Sequence, residues 1–356
     1  MRATVMRRGR LVVDEVADPA PAPGQVLTRV LACGICGSDL HALAHGDRMV
    51  EMTELASRDE PSPFSTMDLD QDVVMGHEFC CEVIEVGDNV GNSRVGDILV
   101  SIPILFDPSG IHSLGYSNQA AGGYAELMVL SDPLALKVPN GLHPNHAALT
   151  EPMAVGLHAV RRSQFTPGRS GVVLGCGPVG LAVIAALRLE GCETIVAADY
   201  SPLRRELARR MGATEVIDPR DERAMQAWRR VDGRTQPILF EAVGVPGMLD
   251  STILDAPRGT QVVVVGVCME PDTIRPMVAV TKELNIQFVL GYDLAEFGET
   301  LRRIAEGELD VEPLVSATVD LDGVATAFEQ LRDPGVHAKI LVTPGRGDRR
   351  GASESS

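Results

Sequence analysis

A glycine-rich turn is one of two parts of this sequence that could do chemistry. Gly175, Gly177 and Gly180 form G-x-G-x-x-G directly after the strand-like segment GVVL and directly before an apolar helical segment. The first glycine permits a tight turn, the second lets the backbone approach a pyrophosphate, and the third lets helix pack on strand. The helix N-terminus adds amide donors for phosphate. The turn, with Pro178 and Val179, is therefore predicted to bind a dinucleotide; a glycine turn without a ligand is the alternative.

An acidic residue at the end of the next strand-like segment predicts which dinucleotide is bound. Asp199 lies close to the spacing of about 20 residues at which a carboxylate meets the adenosine ribose hydroxyls. A carboxylate accepts hydrogen bonds from both hydroxyls but repels a 2′-phosphate, so Asp199 favours NAD over NADP. Arg204 and Arg205 point the other way, because a nearby arginine can hold that phosphate. Early in the next helix, however, an arginine more often lies on a solvated face.

The second part is a set of metal-binding residue types beside turn-forming glycine or proline. Cys36 lies in GICGSDLH, His77 in GHE and Glu151 in TEP. A thiolate, an imidazole and a carboxylate make a plausible three-ligand zinc site with an open fourth position. Each also has a structural interpretation: Cys36 as a small core residue, His77 as a loop histidine, and Glu151 as an acid at a helix N-terminus.

Two sequence patterns, one in each part of the chain, predict the secondary structure that positions these residues. From Leu27 to about Lys137, short β-rich runs broken by Gly, Pro and Asp predict an all-β unit, with no helix longer than two turns. From Glu151 onward, strand-like and helical segments alternate, which predicts a parallel sheet with crossover helices. The acidic, Pro- and Ser-rich stretch between His45 and Asp72 is expected to be an inserted surface loop. It is either a lid or a loop without function.

Composition and charge exclude several functional classes. The 356-residue chain has a net charge of -17, which argues against a nucleic-acid partner. Its longest apolar stretch, residues 172–187, is too short for a membrane span and contains glycines and a proline. The N-terminus lacks a secretory signal pattern, and the seven irregularly spaced cysteines suit reduced thiols. We therefore expect a cytoplasmic protein that binds neither membrane nor nucleic acid.

Together, the two motif sets resemble the zinc-dependent medium-chain alcohol and polyol dehydrogenases, from about Val26 to Val342. The resemblance implies an α/β fold with a GroES-like, β-rich catalytic domain and a Rossmann domain built on a doubly wound parallel sheet. The expected boundaries are 1–153 for the first part of the catalytic domain, 154–292 for the Rossmann domain, 293–345 for the return to the catalytic domain, and 346–356 for a disordered tail.

The resemblance also assigns metal ligands by position. It implies that Cys36 and His77 are catalytic zinc ligands and that Glu151 is the third, although Glu78 takes that place in some polyol-dehydrogenase-like members. The stretch from His77 to Glu151 lacks the four closely spaced cysteines of members with a structural zinc lobe. One catalytic zinc per chain and no structural zinc are expected.

The remaining site residues implied by the resemblance move a proton. Ser38 stands where the family has the hydroxyl that relays the alcohol proton, and His41 where a histidine often continues the relay. The predicted function is hydride transfer between an alcohol or polyol, or the corresponding aldehyde or ketone, and NAD. The apolar runs at residues 261–268 and 285–290 favour a homodimer or homotetramer through the cofactor domain.

Three alternatives stay open at this point. A zinc-free quinone or enoyl reductase of the same superfamily would keep the glycine turn without needing Cys36, His77 and Glu151 together. A non-catalytic dinucleotide-binding protein would bind NAD without turnover. A zinc enzyme could also use NAD transiently for another net reaction.

Overall fold

The computed structural model describes residues 1–57 and 67–345 of the chain. The predicted tail, 346–356, and part of the predicted inserted loop lie outside the described residues.

Strands dominate the first part of the described chain, and strands alternate with helices in the second part. The strands are β1 (Arg2–Arg7), β2 (Arg10–Glu15), β3 (Gln25–Gly34), β4 (Val73–Val74), β5 (Glu78–Val86), β6 (Ile98–Ser101), β7 (Ile104–Asp107), β8 (Gly110–Ser113), β9 (Leu127–Ser131), β10 (Ala135–Lys137), β11 (Ser170–Leu174), β12 (Ile195–Ala198), β13 (Glu215–Ile217), β14 (Pro237–Glu241), β15 (Gln261–Val264), β16 (Asn285–Phe288), β17 (Val315–Val319) and β18 (Lys339–Val342). The helices are α1 (Gly37–Ala56), α2 (Pro144–Ala147), α3 (Thr150–Arg162), α4 (Pro178–Leu189), α5 (Pro202–Arg210), α6 (Ala224–Val231), α7 (Met248–Asp255), α8 (Pro276–Lys282), α9 (Leu294–Ala305) and α10 (Val324–Leu331).

The described chain divides into two compact units. The first comprises residues 1–149, 317–332 and the described residues from 339 onward; the second comprises residues 150–316 and 333–338. The chain thus leaves the first unit after residue 149, returns to it at residue 317, and leaves it again for residues 333–338 before a second return.

The first unit is rich in antiparallel strands, as the sequence predicts. Its largest sheet has the strand order β10-β6-β5-β3-β18-β17, with β9 also paired to β3, and smaller sheets are formed by β2-β1-β4 and by the β7-β8 hairpin. The core beneath these strands is continuous and includes an edge-on pair of rings, Tyr124 and Phe328, with centroids 6.0 Å apart. Strand β3 lies in the middle of the large sheet and ends directly before Ile35 and Cys36.

Helix α1 contradicts the prediction of no helix longer than two turns in this unit. It runs for 20 residues and takes up the first part of the stretch expected to be an inserted loop. Non-helical dihedral angles at His45, φ -142° and ψ 37°, kink it. No apolar stripe marks it in the sequence, because its buried positions carry no large apolar side chain. Those positions are Asp39, Ala42 and Gly46.

The second unit contains the predicted parallel sheet. Its order is β13-β12-β11-β14-β15-β16, and each adjacent pair is parallel. The strand order reverses between β11 and β14: from β11 the chain adds strands on one side, and from β14 on the other. Doubly wound sheets bind ligands at such a switch point, outside the carboxyl ends of the strands. Helices α3 and α4 pack so closely that a side chain at Gly156 would strike the backbone of Ala182.

Candidate active site

Cys36, His77 and Glu78 lie together in the first unit. The Sγ of Cys36, a ring nitrogen of His77 and a carboxylate oxygen of Glu78 are all within 4.8 Å of one another. Cys36 directly precedes α1, and His77 directly precedes the first residue of β5. Thiolate, imidazole and carboxylate are the donor types that zinc binds in proteins. The group therefore fits a zinc ion.

Glu78 is fully buried and is held by a buried lysine that no sequence motif marks. The Nζ of Lys339 donates to both carboxylate oxygens of Glu78, at 2.6 and 2.8 Å, and to the carbonyl oxygen of Ile35 at 3.0 Å. The carboxylate lies over Gly34, where any side chain would strike it. Lys339 begins β18, an apolar strand, and a lysine in such a strand is the sequence signal for a buried ion pair.

Asp39 organises the polar groups around this metal-binding group. Its buried carboxylate accepts hydrogen bonds from the amide of Cys36 at 2.9 Å, from the hydroxyl of Tyr124 at 2.7 Å and from the hydroxyl of Tyr116 at 2.8 Å. Its Oδ1 lies 3.4 Å from Nδ1 of His77, an ion-pair distance without hydrogen-bond geometry. Burial alone would raise the pKa of Asp39, but His77 and the donors outweigh burial and lower it.

His77 is buried in a negative environment. Burial disfavours the imidazolium, yet the charges of Asp39 and Cys36 outweigh it and raise the pKa of His77 well above its ordinary value. A cation bound at this position would take over the role of that proton. The electrostatics of the site therefore favour positive charge next to Cys36, His77 and Glu78.

Ser38 and His41 lie in the first two turns of α1, on one helix face because they are three residues apart. The Oγ of Ser38 is 2.9 Å from the hydroxyl oxygen of Tyr116, whose ring centroid is 5.2 Å from that of His77. Burial, and secondarily the neighbouring His45, lowers the pKa of His41. His41 is therefore a neutral proton acceptor at pH 7.

The segment that carries both tyrosines is pinned against the loop before His77. The amide of Tyr124 donates to the carbonyl oxygen of Met75 at 3.0 Å, and a side chain at Gly122 would strike the backbone of Gly76. This packing fixes Tyr116 beside His77. Neither tyrosine belongs to a sequence motif.

Glu151, predicted as a metal ligand, lies in the second unit. It is in the first turn of α3, and its Oε1 accepts a hydrogen bond from the hydroxyl of Tyr292 at 2.9 Å. Tyr292 in turn stacks on Phe297, with ring centroids 5.3 Å apart. The role of Glu151 as a ligand stays a prediction.

The glycine turn lies between β11 and α4, and its three glycines have different surroundings. Gly175 has φ +89°, and a Cβ there would come within 2.8 Å of Cγ2 of Val243. A side chain at Gly180 would strike the carbonyl oxygen of Gly175. At Gly177, by contrast, a Cβ would have only Nη1 of Arg204, at 3.9 Å, within 4 Å. Backbone at the N-terminus of α4 is thus open to a phosphate.

Asp199 follows β12 and joins the glycine turn to the next helix. Its Oδ2 accepts from the amide of Cys176 and its Oδ1 from the amide of Ser201, both at 2.8 Å. Each carboxylate oxygen keeps a further lone pair for a ribose hydroxyl. The cap of α5 is Ser201, whose Oγ accepts from the amide of Arg204 at 3.3 Å, so Asp199 is not the helix cap.

The two arginines after Asp199 differ in their availability. Arg205 is already held by protein acceptors. Its Nη1 donates to the carbonyl oxygens of Asp199 and Tyr200 and to a carboxylate oxygen of Asp218, at 2.8 to 2.9 Å. The buried Nε of Arg204 has no hydrogen-bond partner within the described residues. Because Nη1 of Arg204 lies beside Gly177, Arg204 is the one of these two arginines next to the predicted phosphate site.

Comparison with known proteins finds matches in both units. Residues 22–140 match the alcohol dehydrogenase GroES-like domain, and residues 178–306 match the zinc-binding dehydrogenase domain. The chain is 34% identical over 344 residues to (R,R)-butanediol dehydrogenase of Bacillus subtilis (strain 168), and the match covers 93% of this chain and 96% of that protein. The chain belongs to the zinc-binding dehydrogenase family. The predicted family and fold are thereby confirmed.

Further relatives of this zinc-binding dehydrogenase include a polyol dehydrogenase and two solved structures. Sorbitol dehydrogenase of the same B. subtilis strain is 27% identical over 370 residues, covering 97% of this chain and 98% of that protein. The crystal structure of B. subtilis 2R,3R-butanediol dehydrogenase matches with a TM-score of 0.82 at 31% identity, covering 97% of this chain and 99% of that one. A Sinorhizobium meliloti 1021 protein described as a zinc-binding dehydrogenase, solved with NADP, matches with a TM-score of 0.81 at 26% identity, covering 96% and 99%.

Family membership makes this protein an oxidoreductase of the alcohol dehydrogenase type and supports zinc and a nicotinamide nucleotide as its cofactors. Small alcohols or carbonyl compounds are the corresponding substrate class. None of the described helices is long and apolar enough to cross a membrane.

Proposed function

We propose that this protein is an NAD-dependent dehydrogenase of small alcohols or polyols, with short vicinal diols as the first candidates. The observation that carries the proposal is the grouping of Cys36, His77 and Glu78, with Ser38 bonded to Tyr116, whose ring lies next to that of His77. The butanediol and sorbitol dehydrogenases among its relatives support the substrate class.

Cys36, His77 and Glu78 would hold one zinc ion per chain. We favour Glu78 over Glu151 as the third ligand, because the carboxylate of Glu78 lies within 4.8 Å of the other two ligand atoms. A bound zinc ion acts as a Lewis acid and lowers the pKa of an alcohol hydroxyl that faces it. No structural zinc is proposed, because the chain lacks a four-cysteine lobe.

The chain's own residues move the proton and hold the cofactor. Ser38 accepts the proton of the substrate hydroxyl, and neutral His41 passes it toward solvent. The turn from Gly175 to Gly180 binds the pyrophosphate. Asp199 would accept hydrogen bonds from both adenosine ribose hydroxyls, which favours NAD, and NAD would supply the hydride acceptor.

We also propose a homodimer or homotetramer formed through the cofactor-binding unit. Strand β16 is at the edge of the parallel sheet, and such an edge offers unpaired backbone groups to a second chain. Large apolar side chains on and near it are exposed: Phe288 by 70%, Leu290 by 86% and, on α8, Met277 by 75%. A monomer would leave this apolar surface in water.

A steady-state screen tests the proposed function. Purified protein is assayed with primary and secondary alcohols, vicinal diols and sugar alcohols, each with NAD and with NADP. We expect NADH formation with at least one diol or polyol, loss of activity on treatment with a zinc chelator, and recovery on adding zinc. A zinc-containing preparation that reduces neither cofactor with any of these substrates would overturn the proposal in favour of a non-catalytic dinucleotide-binding protein.

A further inference from the structure

Glu241 is a buried acid to which the proposed reaction gives no role. It is the last residue of β14 and is only 2% exposed. Its Oε1 accepts from the amide of Val243 at 2.7 Å and from that of Gly244 at 2.9 Å. Burial raises the pKa of this carboxyl, and the hydrogen bonds from the two amides act against that rise. The carboxylate therefore folds the loop after β14 back onto the end of its own strand.

The main chain of Glu241 holds a second loop, the one that follows β15. Its carbonyl oxygen accepts from the amides of Val265 and Gly266, both at 2.9 Å. The two loops then meet backbone to backbone. A Cβ on Gly266 would come 2.4 Å from the amide nitrogen of Gly244, and a Cβ on Gly244 would come 2.7 Å from that of Val267. One residue thus sets the position of both loops.

Both loops lie at the carboxyl ends of the parallel strands. The role of Glu241 rests on the proposed function, which puts the pyrophosphate at the glycine turn after β11 and the adenosine ribose at Asp199 after β12. Strand β11 lies between β12 and β14, so the nicotinamide half of the dinucleotide would extend the other way, over the ends of β14 and β15. Two exposed valines lie in these loops, Val243 by 42% and Val267 by 52%, and a Cβ on Gly175 of the turn would come within 2.8 Å of Cγ2 of Val243. The loops therefore offer the nicotinamide half an apolar surface beside the turn.

We propose that Glu241 is a positioning residue for the cofactor, which holds the loops after β14 and β15 in the arrangement that receives the nicotinamide half of the dinucleotide. It acts through the two loops and takes no part in proton or hydride transfer. Without its carboxylate, the loop after β14 would populate other arrangements, and binding would have to order it at a cost in conformational entropy. The adenosine half does not depend on these loops.

Two ligands separate the two halves of the cofactor site. NADH and ADP-ribose share the adenosine and the pyrophosphate, but only NADH carries the nicotinamide ring; NADPH and ADP-ribose 2′-phosphate replace them if the wild type prefers NADP. Calorimetric titration of the zinc-loaded protein gives both dissociation constants. Glu241→Met keeps the length of the side chain and removes its acceptor. We expect it to weaken NADH binding about five- to thirtyfold, since the backbone of about one loop residue must be ordered on binding, and to leave ADP-ribose within about twofold.

The chain offers two matched controls. Glu241→Gln keeps a carbonyl acceptor for the two amides but loses the charge, so it should bind NADH within about threefold of the wild type. Glu215→Met removes a carboxylate at the amino end of β13 in the same sheet, where it pairs with Arg230, and should change the affinity for neither ligand.

A second readout needs no ligand. By hydrogen exchange, the amides of Val243 and Gly244 should be protected in the wild type and exchange faster in Glu241→Met. The amides of Val265 and Gly266 should stay protected in the variant, because the main-chain carbonyl that they contact is retained.

Gly266→Ala displaces the same loops without changing Glu241, and it decides the question if Glu241→Met does not fold. Its Cβ would push the loop after β14 away, so it should also weaken NADH and spare ADP-ribose, with less than additive effects when the two substitutions are combined. An unchanged NADH affinity in either variant, or equal weakening of both ligands, would overturn the proposal. If the wild type binds NADH but oxidises no alcohol, the proposed reaction fails while the two affinities still decide the role of Glu241. A wild type that binds neither nucleotide would refute both.

Discussion

Lys339 and Glu78 form a buried ion pair in which the ammonium group donates to both carboxylate oxygens. Neither side chain is more than 2% exposed. A charge buried in this way is costly unless it is paired, so each residue stabilises the other in the absence of a metal.

Lys339→Met should therefore destabilise the metal-free protein by about 3–5 kcal/mol, because it leaves the carboxylate of Glu78 buried without a counter-charge. If Glu78 is a zinc ligand, zinc supplies positive charge and the loss should be clearly smaller in the zinc-loaded protein. Denaturant unfolding of wild type and variant, with zinc and with a chelator, measures both values. An equal loss in the two forms would argue that zinc does not contact Glu78.

Lys137→Met, at a half-exposed lysine paired with Asp97, is the control. It should lower the free energy of unfolding by less than about 1 kcal/mol in either form.

The identity of the third ligand can be tested directly. Glu78→Gln and Glu151→Gln keep the size of the side chain and remove its charge. Elemental analysis should find about one zinc per wild-type chain, a much lower content in Glu78→Gln, and an unchanged content in Glu151→Gln. Glu82→Gln, on the same strand as Glu78 and partly exposed, is the control. Zinc loss confined to Glu151→Gln would instead assign that residue, and two zinc ions per wild-type chain would contradict the single-site prediction.

From the sequence, only those site residues can be predicted that lie in a short motif whose residue types indicate metal or nucleotide binding. Cys36 and His77 are in short motifs beside glycine, and the glycine turn is marked by its spacing between a strand and a helix. The contact between Asp39 and Tyr116 cannot be predicted in this way, because it joins a side chain of α1 to one from a loop far along the chain. Pairing across the sheet, which places Lys339 beside Glu78, is likewise a long-range contact.

The fold shows the same division between local and long-range information. The parallel sheet is predictable because each buried strand reads as a continuous apolar run. Helix α1 is not, because its kink at His45 interrupts the helical spacing of the partly buried apolar residues that pack on the core, which are Leu40, Leu43, Met49 and Val50.

The proton relay predicts a specific dependence on pH. Because the pKa of His41 lies below its ordinary value of 6.5, its imidazole is neutral at pH 7 and accepts a proton; it becomes protonated and inactive as the pH falls through that pKa. His41→Ala should therefore reduce kcat most near neutral pH, by about 10²-fold or more. The effect should shrink toward about pH 9, where hydroxide replaces the imidazole, and also at acid pH, where the wild type loses its own acceptor. A pH profile of kcat for the wild type and the variant checks this. A pH-independent effect would argue against a relay.

Association through β16 should be broken by a charge at its exposed apolar end. Phe288→Asp places a carboxylate in the proposed interface, where a second copy would have to bury it without a partner. We expect the wild type to be a dimer or tetramer by light scattering and the variant to shift to smaller species with an unchanged far-UV circular dichroism spectrum. Val95→Asp, at a 64% exposed position of the first unit, should leave the assembly intact. A monomeric wild type would refute the proposed interface.

Asp199 provides the sharpest test of cofactor choice, because it contacts backbone amides on both sides and keeps lone pairs for two ribose hydroxyls. Hydrogen bonds to a charged group contribute about 1.5–3 kcal/mol, so Asp199→Ala should lower kcat/KM for NAD about ten- to a hundredfold. It should also raise kcat/KM for NADP, since the repulsive charge is gone and Nη1 of Arg204 lies close to Gly177 of the turn. Arg204→Ala in the same background should reverse that gain, and Asp221→Ala, at an exposed carboxylate nearby in the chain, should change neither cofactor.

Loss of the amide contacts also lowers stability, so melting temperatures must be measured in parallel, and Asp199→Asn, which keeps one carbonyl acceptor, should be less destabilised than Asp199→Ala. If Asp199 only holds Cys176 and Ser201, both variants would melt earlier with an unchanged NAD to NADP ratio. A wild-type preference for NADP would show that Arg204 outweighs the carboxylate. The ratio of kcat/KM values therefore separates a cofactor role for Asp199 from a purely structural one, because a general loss of stability lowers both values together.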